Sequence, residues 1–274
     1  MFTSEMSWFG LAFAGYLVAM VAYFIYLAFK HETAGLAGTI ATALGFVAHT
    51  VALAVRTVHA GHLPYTNMYE FSSSFVWGIA LIYLAAERFF KTRLIGPFVL
   101  PVIVVLIGIA SVLPKDVEPL VPALQSYWLQ IHVSTAVVAY GAFAVAFGLS
   151  IMYLLALRGK EKKGGGLLAK YFPDPSVLDN YSYRSIALGF PFMTLVIITG
   201  AIWGEKAWGR YWGWDPKETW SLITWFIYAV YLHARITYGW QGKRTAWMSI
   251  IGFCAVIFTF FGVNYLLSGL HSYN

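Results

Sequence analysis

Between Trp208 and Trp225 the chain reads W-G-R-Y-W-G-W-D-P-K-E-T-W-S-L-I-T-W, which holds five of its 11 Trp residues. Trp212 and Trp214 are one residue apart, with Gly209 and Gly213 interleaved. Small residues beside large flat ones leave aromatic faces open, and such faces suit a large planar apolar ligand. Within the same run, Asp215, Pro216 and Glu218 have the form of a helix start: an N-cap, a proline at the first position and an acid at the third. Capping accounts for Asp215 and Glu218 and leaves the Trp cluster unexplained. The second chemical signal is histidine. His132 opens one apolar run, His271 follows the last one, and His233 lies thirteen residues past Trp220. Imidazole is a natural axial ligand for haem iron. Two imidazoles from separate elements can hold both faces of the iron while Trp rings pack the porphyrin edge. A lone interfacial histidine is more often structural; two beside a Trp-Gly loop favour ligation.

The elements that must position these groups are membrane helices. The chain has 274 residues, of which 59% are hydrophobic and 11% charged, and a mean hydropathy of +0.68. A soluble domain carries about 25% charged residues, so this is an integral membrane protein. A bilayer core of about 30 Å needs about 20 apolar helical residues. Eight runs meet that need, at roughly 8–29, 36–58, 71–90, 95–113, 128–157, 185–203, 220–239 and 246–267. The expected fold is an all-α polytopic bundle forming one membrane domain over 1–274, with its tryptophan-rich segment at about 203–225. Pro101 should kink or unwind the first turns of the fourth run. Small residues over 139–148 suggest close helix packing in the fifth.

With both termini outside, thirteen of the 18 Lys and Arg fall in inner loops and five in outer segments. That bias sets the orientation. It also explains the net charge of +6 by anionic lipid, with no nucleic-acid partner required. No cleavable signal peptide is expected, because Glu5 stands where a basic segment would. Cys254, the single cysteine, reads as a small buried residue, so no disulfide or paired-thiol chemistry arises within the chain. The topology puts His132, His271 and the Trp-rich run at one membrane face. His233 falls about 20 Å down the seventh helix from Trp220, in the opposite half of the bilayer. An ionisable residue at that depth is a functional candidate. His49 lies deep in the second run. In Asn67-Met68-Tyr69-Glu70, Asn67 and Glu70 read as a cap before the third. Arg56, Lys206, Arg210 and Lys217 are the outer cations able to meet carboxylates of a ligand, and the sequence does not choose among them.

The W-G-x-x-W-G-W-D-P-K-E-x-W-S-L-I-T-W run resembles the "WWD" signature of the haem-handling proteins of cytochrome c maturation. The remainder is similar to the CcsA/ResC-type membrane subunit of the System II cytochrome c synthase. The supporting matches are the stretches 129–134, 67–70, 231–235 and 268–273, so the resemblance runs from about Pro64 to the C-terminus. The resemblance implies an outer haem b held by His132 and His271 on the platform of Trp208, Trp212, Trp214, Asp215 and Trp220, with Glu70 beside it. It implies an inner haem site at His233, whose other ligand belongs to a separate ResB-type subunit. Apocytochrome c would present its C-x-x-C-H segment to the outer haem for thioether attachment. The activity implied is that of a cytochrome c haem lyase, working only with the ResB-type partner and indirectly with thiol-reducing proteins. The implied location is the bacterial inner membrane, or the thylakoid membrane in a plastid.

Two other readings compete. A CcmC-type subunit shares the WWD run and flanking histidines but loads a haem chaperone, and is usually shorter. A b-type electron-transfer subunit would usually stack two haems on paired transmembrane histidines, whereas only His49 and His233 lie deep in apolar runs here. No pair in the outer loops has the form of a nucleophile and its base, so any catalytic contribution there is positioning.

Overall fold

A computed structural model describes residues 2–117, 119–161 and 171–267. All regular structure among them is helical, as the composition requires. The chain divides into two compact units, Met1–Pro119 and Leu120–Asn274.

The first unit holds α1 (Phe2–Phe29), α2 (Glu32–Ala60), α3 (Met68–Phe90) and, after a 3-10 turn at Arg93–Ile95, α4 (Gly96–Val112). Glycine sets how closely the helices approach. A Cβ on Gly15 would lie 2.9 Å from the Cα of Gly45, and one on Gly96 would lie 2.6 Å from the Tyr23 ring. Asn67 caps α3 by accepting from the Glu70 amide at 2.9 Å, as expected. Helix α4 stays helical through Pro101.

The second unit holds α5 (Tyr127–Glu161), α6 (Pro175–Trp208), α7 (Pro216–Tyr238) and α8 (Lys243–Ile257). Helix α8 continues through a π-helical turn, Phe258–Gly262, into a last turn, Val263–Leu266. Helix α5 is central: 78% of its most apolar stretch is buried, against 33% for α6. Its small residues pack as the sequence suggests, with Ala139, Ala142, Ala144 and Ala146 wholly buried.

Side-chain contacts fix the helix directions in this unit. Phe143 of α5 meets Gly189 of α6, and Ser150 meets Ser182 at 3.0 Å, so α5 and α6 are antiparallel. Trp225 donates to Thr194, and Arg235 to Asp179, so α6 and α7 are antiparallel. Trp220 packs on Phe258 and Tyr228 on Gly252, so α7 and α8 are antiparallel as well. The start of α5, the end of α6, the start of α7 and the end of α8 therefore share one end of the unit.

Seven of these helices are long and apolar enough to cross a membrane. The helix of the seventh expected run, α7, forms over Pro216–Tyr238 but falls outside that set. The reason is composition. Its 23 residues include Trp220, Trp225, three Tyr, His233 and Arg235, which bring little or negative hydropathy to the span. Cys254, expected to be buried, is exposed at the surface of its unit, where a small thiol on an apolar face carries no cost.

Candidate functional site

His132 lies in the second turn of α5. Its Nδ1 is 2.9 Å from the carbonyl oxygen of Val196 on α6. A ring nitrogen facing a carbonyl must donate, so the proton sits on Nδ1 and the lone pair on Nε2. This is the arrangement by which a second-sphere acceptor orients a metal-ligating histidine. Gly200 makes it possible: a Cβ there would lie 2.8 Å from Cε1 of the imidazole. Trp203, one turn further along α6, stacks against the imidazole at 5.9 Å and 25°. Trp203 is itself fixed, 3% exposed, with its Nε1–H donating to Ala123 O at 2.9 Å. Trp208 packs against Trp203 at 4.9 Å.

Gly209, with φ +70, ends α6 in the left-handed region. The loop from Gly209 to Asp215 then carries Trp212 and Trp214, edge to face at 5.7 Å. Trp214 is 69% exposed and has φ +59, a region that non-glycine residues rarely adopt. The loop is fastened from α7. The Glu218 carboxylate accepts from the amides of Gly213 at 2.8 Å and Asp215 at 3.0 Å. Asp215, buried, accepts from the Lys217 amide at 3.0 Å and from the Glu218 amide, and the latter bond completes a capping box. Gly213 leaves room for a neighbour, because the guanidinium of the exposed Arg210 lies where its Cβ would be. Burial pushes the half-buried Lys217 ammonium, just ahead of the apolar part of α7, down to about 8 against the opposing pull of Asp215. Trp220 packs on Phe258 of the π turn at 4.2 Å.

The helix directions thus bring His132, Trp208, Trp212, Trp214, Asp215 and Trp220 to one end of the second unit. His271 lies outside the described residues. His233 sits toward the other end, exposed on α7, with Thr237 Oγ1 3.4 Å from its Nδ1 and the Tyr238 ring at 5.6 Å. It continues an apolar face that includes Phe226 and Val230, both 53% exposed. Glu70 belongs to the first unit and is 1% exposed. It pairs with Arg56 at 2.8 Å and accepts from the Thr66 amide and hydroxyl. Arg56 also donates to the carbonyls of Lys115 and Asp116, which commits this cation to the protein. Lys206 is exposed and pairs with Glu205. His49 is wholly buried, with Nε2 2.8 Å from Ser73 Oγ and Nδ1 3.3 Å from Tyr16.

Sequence reasoning missed Gly200, Trp203 and the second bond of Glu218, to the Gly213 amide. The first two act across a helix pair more than 60 residues apart. Their only local signal is that they are spaced on one face of α6. Among the described residues no group of three His, Cys, Asp or Glu could hold a bare metal ion. A porphyrin supplies four of its iron's ligands, so an oriented imidazole stacked on Trp203, with Trp208 packed behind it, fits haem.

The family model described as "Cytochrome C assembly protein" matches residues 65–271. A cytochrome c biogenesis protein CcsA of Gloeobacter violaceus is 39% identical over 96% of this chain and 94% of its own length. The CcsA of Pyropia yezoensis is 40% identical over 96% and 95%. Among solved structures, a cytochrome c heme lyase CcmF superposes with a TM-score of 0.73 at 16% identity, over 94% of this chain. This chain spans only 46% of that protein, and the likeness is one of fold.

Proposed function

The chain belongs to the cytochrome c assembly protein family, and from that premise we propose that it presents haem b to apocytochrome c as one subunit of a cytochrome c synthase. Membership itself gives a multi-pass membrane protein of cytochrome c maturation that handles haem. The finer reading is carried by His132. Its Nδ1–H is held by Val196 O, its face by Trp203, and its position by the missing side chain of Gly200. Haem would rest by Nε2 of His132 on the platform of Trp208, Trp212, Trp214 and Trp220, with His271 as the second ligand. Asp215 and Glu218 hold the platform in shape. Glu70, paired to Arg56 in the first unit, serves there by fixing the start of α3.

The attachment chemistry is an addition. Each cysteine thiol of the apocytochrome adds across one haem vinyl group, sulfur to one carbon and hydrogen to the other, so the step consumes no oxidant or reductant. The residues of this chain orient and shield the reacting centre. His233 would receive haem from the inner side, its second ligand coming from a ResB-type subunit. Its exposure supports this, because another chain can reach it. The reading puts both termini on the outer face of a bacterial inner or thylakoid membrane, with thiol-reducing proteins acting on the apocytochrome beforehand.

The test is His132→Gly in cells that express a reporter cytochrome c and the partner subunit. Cytochrome assembly should be lost, and imidazole in the medium should partly restore it by filling the vacated position. Full assembly without imidazole would overturn the ligand assignment. Haem that loads a chaperone but never a cytochrome would favour the CcmC-type alternative.

A further inference from the structure

Helix α7 is turned inside out. Ile223, Phe226 and Val230 point away from the unit, 38% to 53% exposed. The face it buries carries hydroxyls: Ser221, Thr224, Tyr228 and Tyr231, followed by Arg235. These follow a spacing of three and four residues, one stripe of a helix. They extend over about 21 Å at 1.5 Å per residue. Thr224, Tyr228 and Tyr231 are each no more than 1% exposed.

Neighbouring helices add hydroxyls at each level. Tyr140 of α5 meets Ser221. Thr259 of the π turn is 3.4 Å from Thr224. Tyr231 meets Ser182 of α6, which is 3.0 Å from Ser150 of α5. The stripe ends at Asp179, whose carboxylate takes Arg235, the Gly242 amide and the Thr245 hydroxyl.

At the midpoint of the stripe stands Tyr228, and Ser249 lies on α8 one turn before Gly252, which meets Tyr228; both hydroxyl residues are wholly buried. Neither hydroxyl has a hydrogen-bond partner among the described residues. Tyr228 is fixed by stacking on Phe143 at 3.7 Å and by the close approach of Gly252. An unbonded hydroxyl in an apolar core costs roughly 1–3 kcal/mol. A packing role would be served as well by Phe at 228 and Ala at 249. Buried polar groups of this kind are satisfied by internal water.

We infer that the buried face of α7 is a hydrated proton path through the second unit, linking the Asp179–Arg235 end to the end that carries His132 and the Trp-rich loop. Thr224, Thr259 and Ser150 each donate to a carbonyl one turn back, so passage of a proton requires these hydroxyls to rotate into the path, with water bridging the steps at Tyr228 and Ser249. No group changes its net charge when a proton leaves one end as another enters at the other. The path rests on the helix packing and not on the haem reading.

The experiment uses the full chain, with whatever partner co-purifies, in vesicles that enclose a pH-sensitive dye. A potassium gradient with valinomycin supplies the driving potential. Wild-type vesicles should take up protons faster than protein-free ones. Tyr228→Phe and Ser249→Ala should fall to the protein-free background, while Leu195→Ala, on the exposed side of α6, should match wild type. Wild-type flux at background, or undiminished flux in Tyr228→Phe, would overturn the path. Hydroxyl-radical labelling by X-ray radiolysis checks the water directly. Tyr228 should be labelled despite its burial, and an unlabelled Tyr228 would overturn it too. Tyr228→Phe removes one oxygen and no packing, so its folding is secured.

Discussion

At the scale of single residues, the site depends on a side chain that is missing. Gly200 admits the His132 ring, so Gly200→Ala should force the imidazole or α6 to shift, at the roughly 1–3 kcal/mol typical of overpacking. The expected outcome is a protein that still purifies but binds less haem, with an altered absorption spectrum. An unchanged spectrum and occupancy would show that the ring has room to spare. His132 was legible in the sequence because an ionisable residue at the edge of an apolar run stands out by type. Gly200 and Trp203 were not, since glycine and tryptophan are both ordinary in membrane helices and their meaning lies in a contact with α5. Glu70 shows the converse. Its place beside a cap was readable, because capping is local. Its ion pair with Arg56, fourteen residues back on another helix, was not.

At the scale of elements, α7 does two jobs that mutation should separate. Its N-terminus is held by the capping box, and its loop by the bond from the Gly213 amide to Glu218, with a longer one from Thr219 to Trp214 O. Asp215→Asn keeps a competent cap and should leave haem bound, whereas Asp215→Ala should cost about 0.5–2 kcal/mol of stability. Glu218→Ala should free the Gly213 and Asp215 amides together, loosen Trp212 and Trp214, and lower haem occupancy more than Asp215→Asn does. Haem per polypeptide after detergent purification, beside thermal melting of each variant, reads both effects. Occupancy lost in Asp215→Asn but kept in Glu218→Ala would reverse the roles. The cap was readable from four consecutive residues. The inside-out character of α7 was not, because a stripe of Tyr, Thr and Ser reads as a weak apolar run until its neighbours show which face is covered.

At the scale of the whole molecule, the order and placement of the helices were legible almost throughout. Spans of about 20 apolar residues announce themselves, and among the described residues eight helices stand where eight runs were expected. The direction of the chain through the membrane rests on the Lys and Arg bias alone. It predicts that a periplasmic reporter fused after Leu267 is active, and that the same reporter inserted in the basic stretch of sequence after Glu161 is silent. The reverse pattern would invert the orientation and move the His132 end to the inner face. The division into two compact units was not foreseen, although the segment between α4 and α5 carries three prolines and three charged residues within 113–122, the composition of a linker.

The carboxylate of Glu218 also works as a ruler. It reaches back three residues to one amide across the first helical turn, and five to another across the end of the loop. One residue added or removed between Gly213 and Glu218 would pull it off at least one of them, and would rotate everything before it relative to α7. This segment is therefore fixed in length as well as at the positions that its cap and platform use. Insertions that the first unit's exposed loops would accept are barred here by geometry, whatever residue is inserted.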